Sequence, residues 1–152
     1  MTFVVHAPLA GSVIDLADVP DPVFAEAIVG PGFGLVLPDE SESVDALAPV
    51  DGALSSLHPH AFIVKPTDGP PVLVHLGIDT VDLKGRGFTV FAEVGGEVAT
   101  GDTLVAWDLE PARTAGLSTV VPVVALAPNA RIELLVETGA DVEAGDPIAR
   151  VL

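Results

Sequence analysis

Cysteine is absent from the 152-residue chain, which excludes disulfides, thiolate nucleophiles and Cys-ligated zinc and permits a reducing compartment. Basic residues are almost as scarce. Six Lys and Arg stand against 22 Asp and Glu, a net charge of −16 with His neutral. Such a charge repels nucleic acid phosphates and anionic lipid headgroups, so neither is an expected partner. No apolar run approaches the roughly 20 residues of a membrane span. The longest candidate, around Leu117–Ala127, holds Ser118, Thr119 and Pro122. The first ten residues lack the basic and apolar regions of a signal peptide, and a cytoplasmic location is expected.

What the chain does have is hydrophobic residues, 49%, which separates it from acidic disordered sequences. It also has 15 Gly and 14 Pro, too many breaks for long helices. At this length one domain over 1–152 is expected, with a core that needs no staples.

The sequence repeats itself. Glu93–Val105 and Glu137–Ala149 align without gaps, sharing Glu, Gly, Val and Gly-Asp at matching offsets. A second echo links Ala7-Pro-Leu-Ala-Gly11 to Ala48-Pro-Val-Asp-Gly52. Two copies of a β motif follow, each expected to form a hairpin reversed at its Gly-Asp turn. Apolar runs predict strands at Thr2–Val5, Gly11–Leu16, Gly34–Leu37, Gly52–Leu57, Ala61–Lys65, Val72–Leu76, Thr103–Asp108, Val120–Leu126 and Ile148–Leu152. Helical signal is confined to Pro111–Leu117 and Asp21–Val29. The expected fold is all-β, an antiparallel β-sandwich or partly open barrel with internal duplication and one or two short helices.

The most informative stretch runs from His58 to Asp79. Pro66-Thr-Asp-Gly69 reads as a four-residue turn. If Lys65 faces Pro70 across it, Phe62 faces Leu73 and His60 faces His75, which places two imidazoles side by side. A one-residue slip would break that pairing. In an extended chain His58 would share their face. Three chemistries stay open for such a pair: a nucleophile and helper acting on phosphate, a zinc site completed by His58 or a carboxylate, and a buried pair bonded to backbone.

Val72-Leu-Val-His-Leu-Gly-Ile-Asp-Thr-Val-Asp-Leu-Lys-Gly-Arg-Gly-Phe88 closely resembles the signature of the glucose-type enzyme IIA domain of the bacterial phosphoenolpyruvate-dependent sugar phosphotransferase system. Further matches at Ala7–Gly11, Asp18–Asp21, Val23–Glu26, Ile28–Gly30, Ala48–Gly52, His60–Phe62, Gly101–Thr103 and Pro122–Val124 run in family order across nearly the whole chain.

The resemblance implies an antiparallel β-sandwich that takes phosphate from a histidine phosphocarrier protein and passes it to enzyme IIB of a sugar permease. No cofactor is implied. His75 stands where the family carries its phosphorylated histidine, and His60 where a second histidine contacts the phosphoryl group. Asp79 matches an acidic neighbour. Phe24, Val29, Leu73, Leu76 and Val81 match the apolar ring that docks partners. No metal is required, although His60 and His75 would bind adventitious zinc.

Two departures stand out. His58-Pro59 replaces a frequent Thr-Asn, which points to altered pH dependence. The chain begins almost at the first family motif, so the amphipathic tail that some members use at the membrane is not expected. Two other classes compete. A lysostaphin-type zinc hydrolase would use His58-Pro-His60 as a His-x-His pair, but His6 lacks the Asp ligand at the fourth position after it. A lipoyl or biotin carrier would use the Gly-x-x-Val-x-x-Gly-Asp turns, but neither Lys65 nor Lys84 lies in a carrier setting.

Overall fold

A computed structural model describes residues 2–152. Every strand pairing in it is antiparallel. Across the large sheet the strands run Asp141–Val142, Gly11–Asp15, Gly32–Val36, Val121–Ala125, Val72–His75, Ala61–Lys65, Gly52–His58 and Glu97–Val98. Two three-stranded sheets accompany it. One holds Phe3–His6, Pro147–Val151 and Ile132–Leu134; the other holds Ser43–Leu47, Thr103–Asp108 and Phe88–Val90.

Period-two alternation decides what lies inside. In Val72–His75 the valines are buried and Leu73 and His75 are only partly so. The inner face of the large sheet, with Phe33, Leu35, Phe62, Val74 and Val123, packs on Val5, Ala149 and Val151 of one small sheet and Ala46, Val105 and Trp107 of the other. That is one sandwich core. The outer face carries a second, smaller core of Leu16, Val19, Phe24, Ile78 and Val124, with Leu73 and Val29 against it. The short helix Pro22–Ala25 closes over this side, capped by Asp21, whose carboxylate accepts from the Val23 N–H at 2.9 Å.

The duplication is visible in hydrogen bonds. His6 N–H donates to Pro49 O while Leu47 N–H donates to Pro8 O, each at 2.8 Å, so the two Ala-Pro segments exchange equivalent bonds. Ala7 N–H reaches Asp146 O, and Ala48 N–H reaches Asp102 O. Each Gly-Asp turn is closed by its aspartate, with Oδ2 of Asp102 on Ala99 N–H and Oδ2 of Asp146 on Glu143 N–H. These turns are not hairpins, however. Glu97–Val98 and Asp141–Val142 belong to the large sheet, while Thr103–Asp108 and Pro147–Val151 belong to the small ones. The repeated motif is a corner that carries the chain between layers.

The nine sequence-read strands all form, within one or two residues of their expected ends. Five further strands were not anticipated: Ser43–Leu47, Phe88–Val90, Glu97–Val98, Ile132–Leu134 and Asp141–Val142. Four of these are two or three residues long and the fifth carries Ser43 and Asp45, so none presents an apolar run. Both expected helices form in shortened versions, Pro22–Ala25 and Glu110–Thr114.

Candidate active site

His60 and His75 meet, but by a route other than direct cross-strand opposition. The observed register pairs Ala61 with His75, Phe62 with Val74 and Ile63 with Leu73. It is one residue away from the expected one. The connection at Pro66–Pro71 is six residues long rather than four, because pairing stops at Val64–Val72. Under alternation alone His60 would then point to the opposite face. It escapes this because it is not in a strand. His58 pairs with Ala61, leaving Pro59 and His60 as a two-residue turn. Leu76 N–H donates to His60 O at 2.7 Å and pins that turn beside the end of the His75 strand.

The result is a row of three imidazoles. The His60 and His75 centroids are 5.2 Å apart at 72°, edge to face, and His58 and His60 are 5.9 Å apart at 33°. Phe24 also lies against His75, at 5.5 Å and tilted by 58°. Exposure rises along the row: His75 and His60 are partly buried and His58 is exposed.

His75 is oriented by the turn that follows it. Its Nδ1 lies 2.6 Å from Gly77 O, so Nδ1 carries the hydrogen and Nε2 keeps its lone pair. Gly77 has φ +83°, and a Cβ there would stand 2.6 Å from Thr80 Cγ2 and 2.9 Å from Ser118 O. Only glycine fits. Buried Thr80 donates from Oγ1 to Leu76 O at 2.6 Å, and Ile78 N–H donates to Ser118 O at 3.0 Å. The carbonyl that holds His75 is therefore braced from two sides.

Burial lowers the pKa of His75, opposed by the Gly77 carbonyl and by the charges of Asp21 and Asp79. Burial also lowers that of His60, helped by His75 and His58. Both rings are thus biased toward the neutral form. Asp79 is exposed and left-handed at φ +60°, and its charge acts on His75. Asp21 acts on His75 more strongly than Asp79 and was not singled out from sequence. Its signal was there, an Asp-Pro pair at a helix start.

The apolar surroundings divide. Val81 is 57% exposed, Val29 and Leu73 are partly buried, and Phe24 is nearly buried against the His75 ring. Leu76 is a correction. It is fully buried in the main core, because it points inward where its neighbour His75 points outward, and no partner can touch it. Ile28 and Val23, 58% and 46% exposed, are apolar neighbours that sequence reasoning passed over.

Among the described residues no group of three or more His, Cys, Asp or Glu side chains is disposed to hold a metal ion. The zinc-hydrolase reading therefore lacks a third protein ligand. Lys65 ends a strand and Lys84 caps the 3-10 turn Thr80–Leu83, so neither occupies the tip of a Gly-Asp corner as a carrier lysine would. Trp107 is a core residue, fully buried and stacked on Phe88 at 5.7 Å.

The family model for the phosphoenolpyruvate-dependent sugar phosphotransferase system, EIIA 1, matches residues 3–131. The glucose-specific EIIA component of the phosphotransferase system from Halalkalibacterium halodurans is 40% identical over 122 residues, 79% of this chain and 68% of that protein. The protein of the same name from Haemophilus influenzae is 37% identical over 150 residues, 97% of this chain and 87% of its own. The solved glucose permease IIA from Mycoplasma capricolum superposes with a TM-score of 0.86 at 34% identity, covering 99% of this chain and 96% of that one.

Proposed function

The chain belongs to the phosphoenolpyruvate-dependent sugar phosphotransferase system EIIA 1 family and is a phosphoryl carrier, and on that premise we propose that His75 is its phosphoryl acceptor. The observation that carries this reading is the 2.6 Å bond from His75 Nδ1 to Gly77 O, which leaves Nε2 as the only free nucleophilic nitrogen on the ring.

The donor is a phosphohistidine on the histidine phosphocarrier protein. His75 Nε2 attacks phosphorus, an N–P bond forms, and the donor N–P bond breaks with its electron pair returning to the donor imidazole. His75 keeps its Nδ1 hydrogen through Gly77, so the phosphorylated ring is cationic and remains a good leaving group. The next acceptor, a cysteine thiolate of enzyme IIB, forms an S–P bond and releases neutral His75. No cofactor enters either step.

His60, edge-on to His75, is the hydrogen-bond donor to the phosphoryl oxygens, where negative charge concentrates during transfer. Phe24 limits water at the ring and slows hydrolysis of the N–P bond. Asp21 and Asp79 stabilise the cationic ring. Val81, Val29 and Leu73 form the apolar rim against which both partners dock. The whole chain acts as one IIA unit, since its main core runs from Val5 to Val151. No helix among the described residues is long and apolar enough to cross a membrane, and the unit works on the cytoplasmic side of its permease.

Intact mass after incubation with phosphoenolpyruvate, enzyme I and the histidine phosphocarrier protein tests the assignment. One acid-labile phosphoryl group is expected on wild type and on His60→Gln, and none on His75→Gln. A phosphoryl group retained by His75→Gln overturns it.

A further inference from the structure

The chain's one tryptophan lies behind the active-site turn and has no task in the chemistry described so far. Trp107 stands in the strand Thr103–Asp108, paired with Val44 on one side and Phe88 on the other, and is fully buried. Its ring stacks on that of Phe88, 13° from parallel. Among the described residues its Nε1 has no hydrogen-bond partner, a cost that a phenyl ring at the same place would not carry. What the longer indole supplies is reach. Its far carbon, Cη2, comes within 3.4 Å of the point where a Cβ on Gly77 would stand.

We propose that Trp107 is a positioning residue for phosphoryl transfer: its indole edge backs the Gly77 turn and keeps the Gly77 carbonyl on His75 Nδ1. This rests on the reading of His75 as acceptor. The Gly77–Ile78 peptide is held at both ends, its N–H donating to Ser118 O at 3.0 Å and its oxygen accepting from His75 Nδ1 at 2.6 Å. Those bonds orient the peptide but leave the Cα behind it to packing. Gly77 has no side chain of its own to anchor that Cα, and its left-handed φ of +83° is open to glycine alone. The space where a Cβ would project is closed instead by Thr80 Cγ2, Ser118 O and Trp107 Cη2. Thr80 and Ser118 are themselves bonded to the turn, through Leu76 O and Ile78 N–H, and shift with it. Trp107 comes from the small sheet across the core, so it is the fixed member of the three.

Shortening the indole opens a gap on that side, and close-packed neighbours relax into such gaps. Gly77 would then draw back from His75 and loosen the Nδ1–H···O bond. The hydrogen bond made by one ring nitrogen decides which nitrogen carries the proton. With that bond weakened, part of the His75 population holds its hydrogen on Nε2 and has no lone pair where phosphorus arrives.

The test compares wild type, Trp107→Phe and Ile148→Ala as full chains. Ile148 is equally buried but lies in the other small sheet, so its truncation loosens the core without touching the turn. Nitrogen NMR of the free proteins reads the His75 tautomer, and steady-state transfer from the phosphorylated phosphocarrier gives kcat and KM. Trp107→Phe should show His75 partly protonated at Nε2, with kcat lowered about tenfold, within what a displaced reacting group costs. Its KM should stay at the wild-type value, because a buried residue meets no partner. Ile148→Ala should match wild type in tautomer and kcat. Trp107→Phe with His75 held wholly at Nδ1–H and kcat unchanged overturns the inference, and so does an equal tautomer mixture in Ile148→Ala. If Trp107→Phe does not fold, the tryptophan emission of wild type decides. It should shift when His75 is phosphorylated, since the cationic ring pulls on the carbonyl of the residue that the indole backs, and an unmoved emission overturns the inference. All of these failures leave His75 as acceptor, whereas a phosphoryl group retained by His75→Gln removes both readings.

Discussion

The Nδ1 of His75 and the carbonyl oxygen of Gly77 stand 2.6 Å apart, two residues from each other in sequence, at a position where only a residue with φ near +83° can turn the carbonyl back. Backbone conformation at Gly77 therefore sets the tautomer of His75. Nitrogen NMR of the free protein should find His75 protonated at Nδ1 and bare at Nε2. In Gly77→Ala the new Cβ meets Thr80 and Ser118, and strain of about 1–3 kcal/mol is expected in urea unfolding. Phosphorylation of His75 should slow in the same variant. A Gly77→Ala protein with wild-type stability and rate would show that the turn has no such role.

The pairing of His60 with His75 shows how much of the site was legible in sequence. The strands around it announced themselves as apolar runs, and the Gly-Asp repeats marked both corners. Register was not legible. It depended on where the Pro66–Pro71 connection stopped pairing, and two adjacent prolines at Pro70 and Pro71 lack the N–H that would carry pairing closer to the turn. The two errors compensated, because the Pro59-His60 turn frees His60 from strand alternation. Leu76 failed for a simpler reason. A motif position names a residue but not its face, and alternation beside an outward His75 puts Leu76 inside.

Stability should respond to acid through the two active-site rings. Burial lowers both histidines in the folded state below their unfolded value, near 6.5. The unfolded chain then binds more protons, so this stability is present in full above about pH 6.5 and is lost as pH falls toward the folded values. Asp51, whose carboxylate is held below its usual range by hydrogen bonding from Thr100, loses its contribution in the same direction, but only in the carboxylate range near pH ~4 and below. Between about pH 6.5 and 5 the histidine contribution is therefore expected to dominate. In denaturant unfolding, wild type should lose stability relative to a His60→Gln/His75→Gln protein over that interval. A difference that stays constant with pH would contradict the assignment of buried neutral rings.

Two hydrophobic residues five positions apart should behave in opposite ways. Leu76, fully buried, should cost about 2–5 kcal/mol on replacement by Ala, with the loss visible in unfolding midpoint. Val81, 57% exposed, should leave stability within about 0.5 kcal/mol on replacement by Ser. The same Val81→Ser change should raise KM for the phosphocarrier about three- to tenfold through lost apolar contact, with kcat little altered. If Val81→Ser transfers phosphate with unchanged KM, the docking rim lies elsewhere.

The duplicated corners make a quantitative prediction about the fold itself. Gly101 and Gly145 occupy matching places, with φ +93° and +90°, and a Cβ at either would meet nothing within 4 Å. Replacing either with Ala therefore carries no steric clash and only the cost of a left-handed backbone, about 1–2 kcal/mol. Each N–H continues to serve its partner, Gly101 to Ala48 O at 3.0 Å and Gly145 to Ala7 O at 2.8 Å. If the corners are structural equals, Gly101→Ala and Gly145→Ala should destabilise alike, within about 0.5 kcal/mol. The double variant should then lose close to the sum, since the two turns share no partner. Unequal single losses would mean that one corner has drifted from the other in its surroundings. A double loss well above the sum would mean that the exchanged bonds between the Ala7 and Ala48 segments couple them. Neither substitution touches His75, so phosphorylation in the folded variants should match wild type.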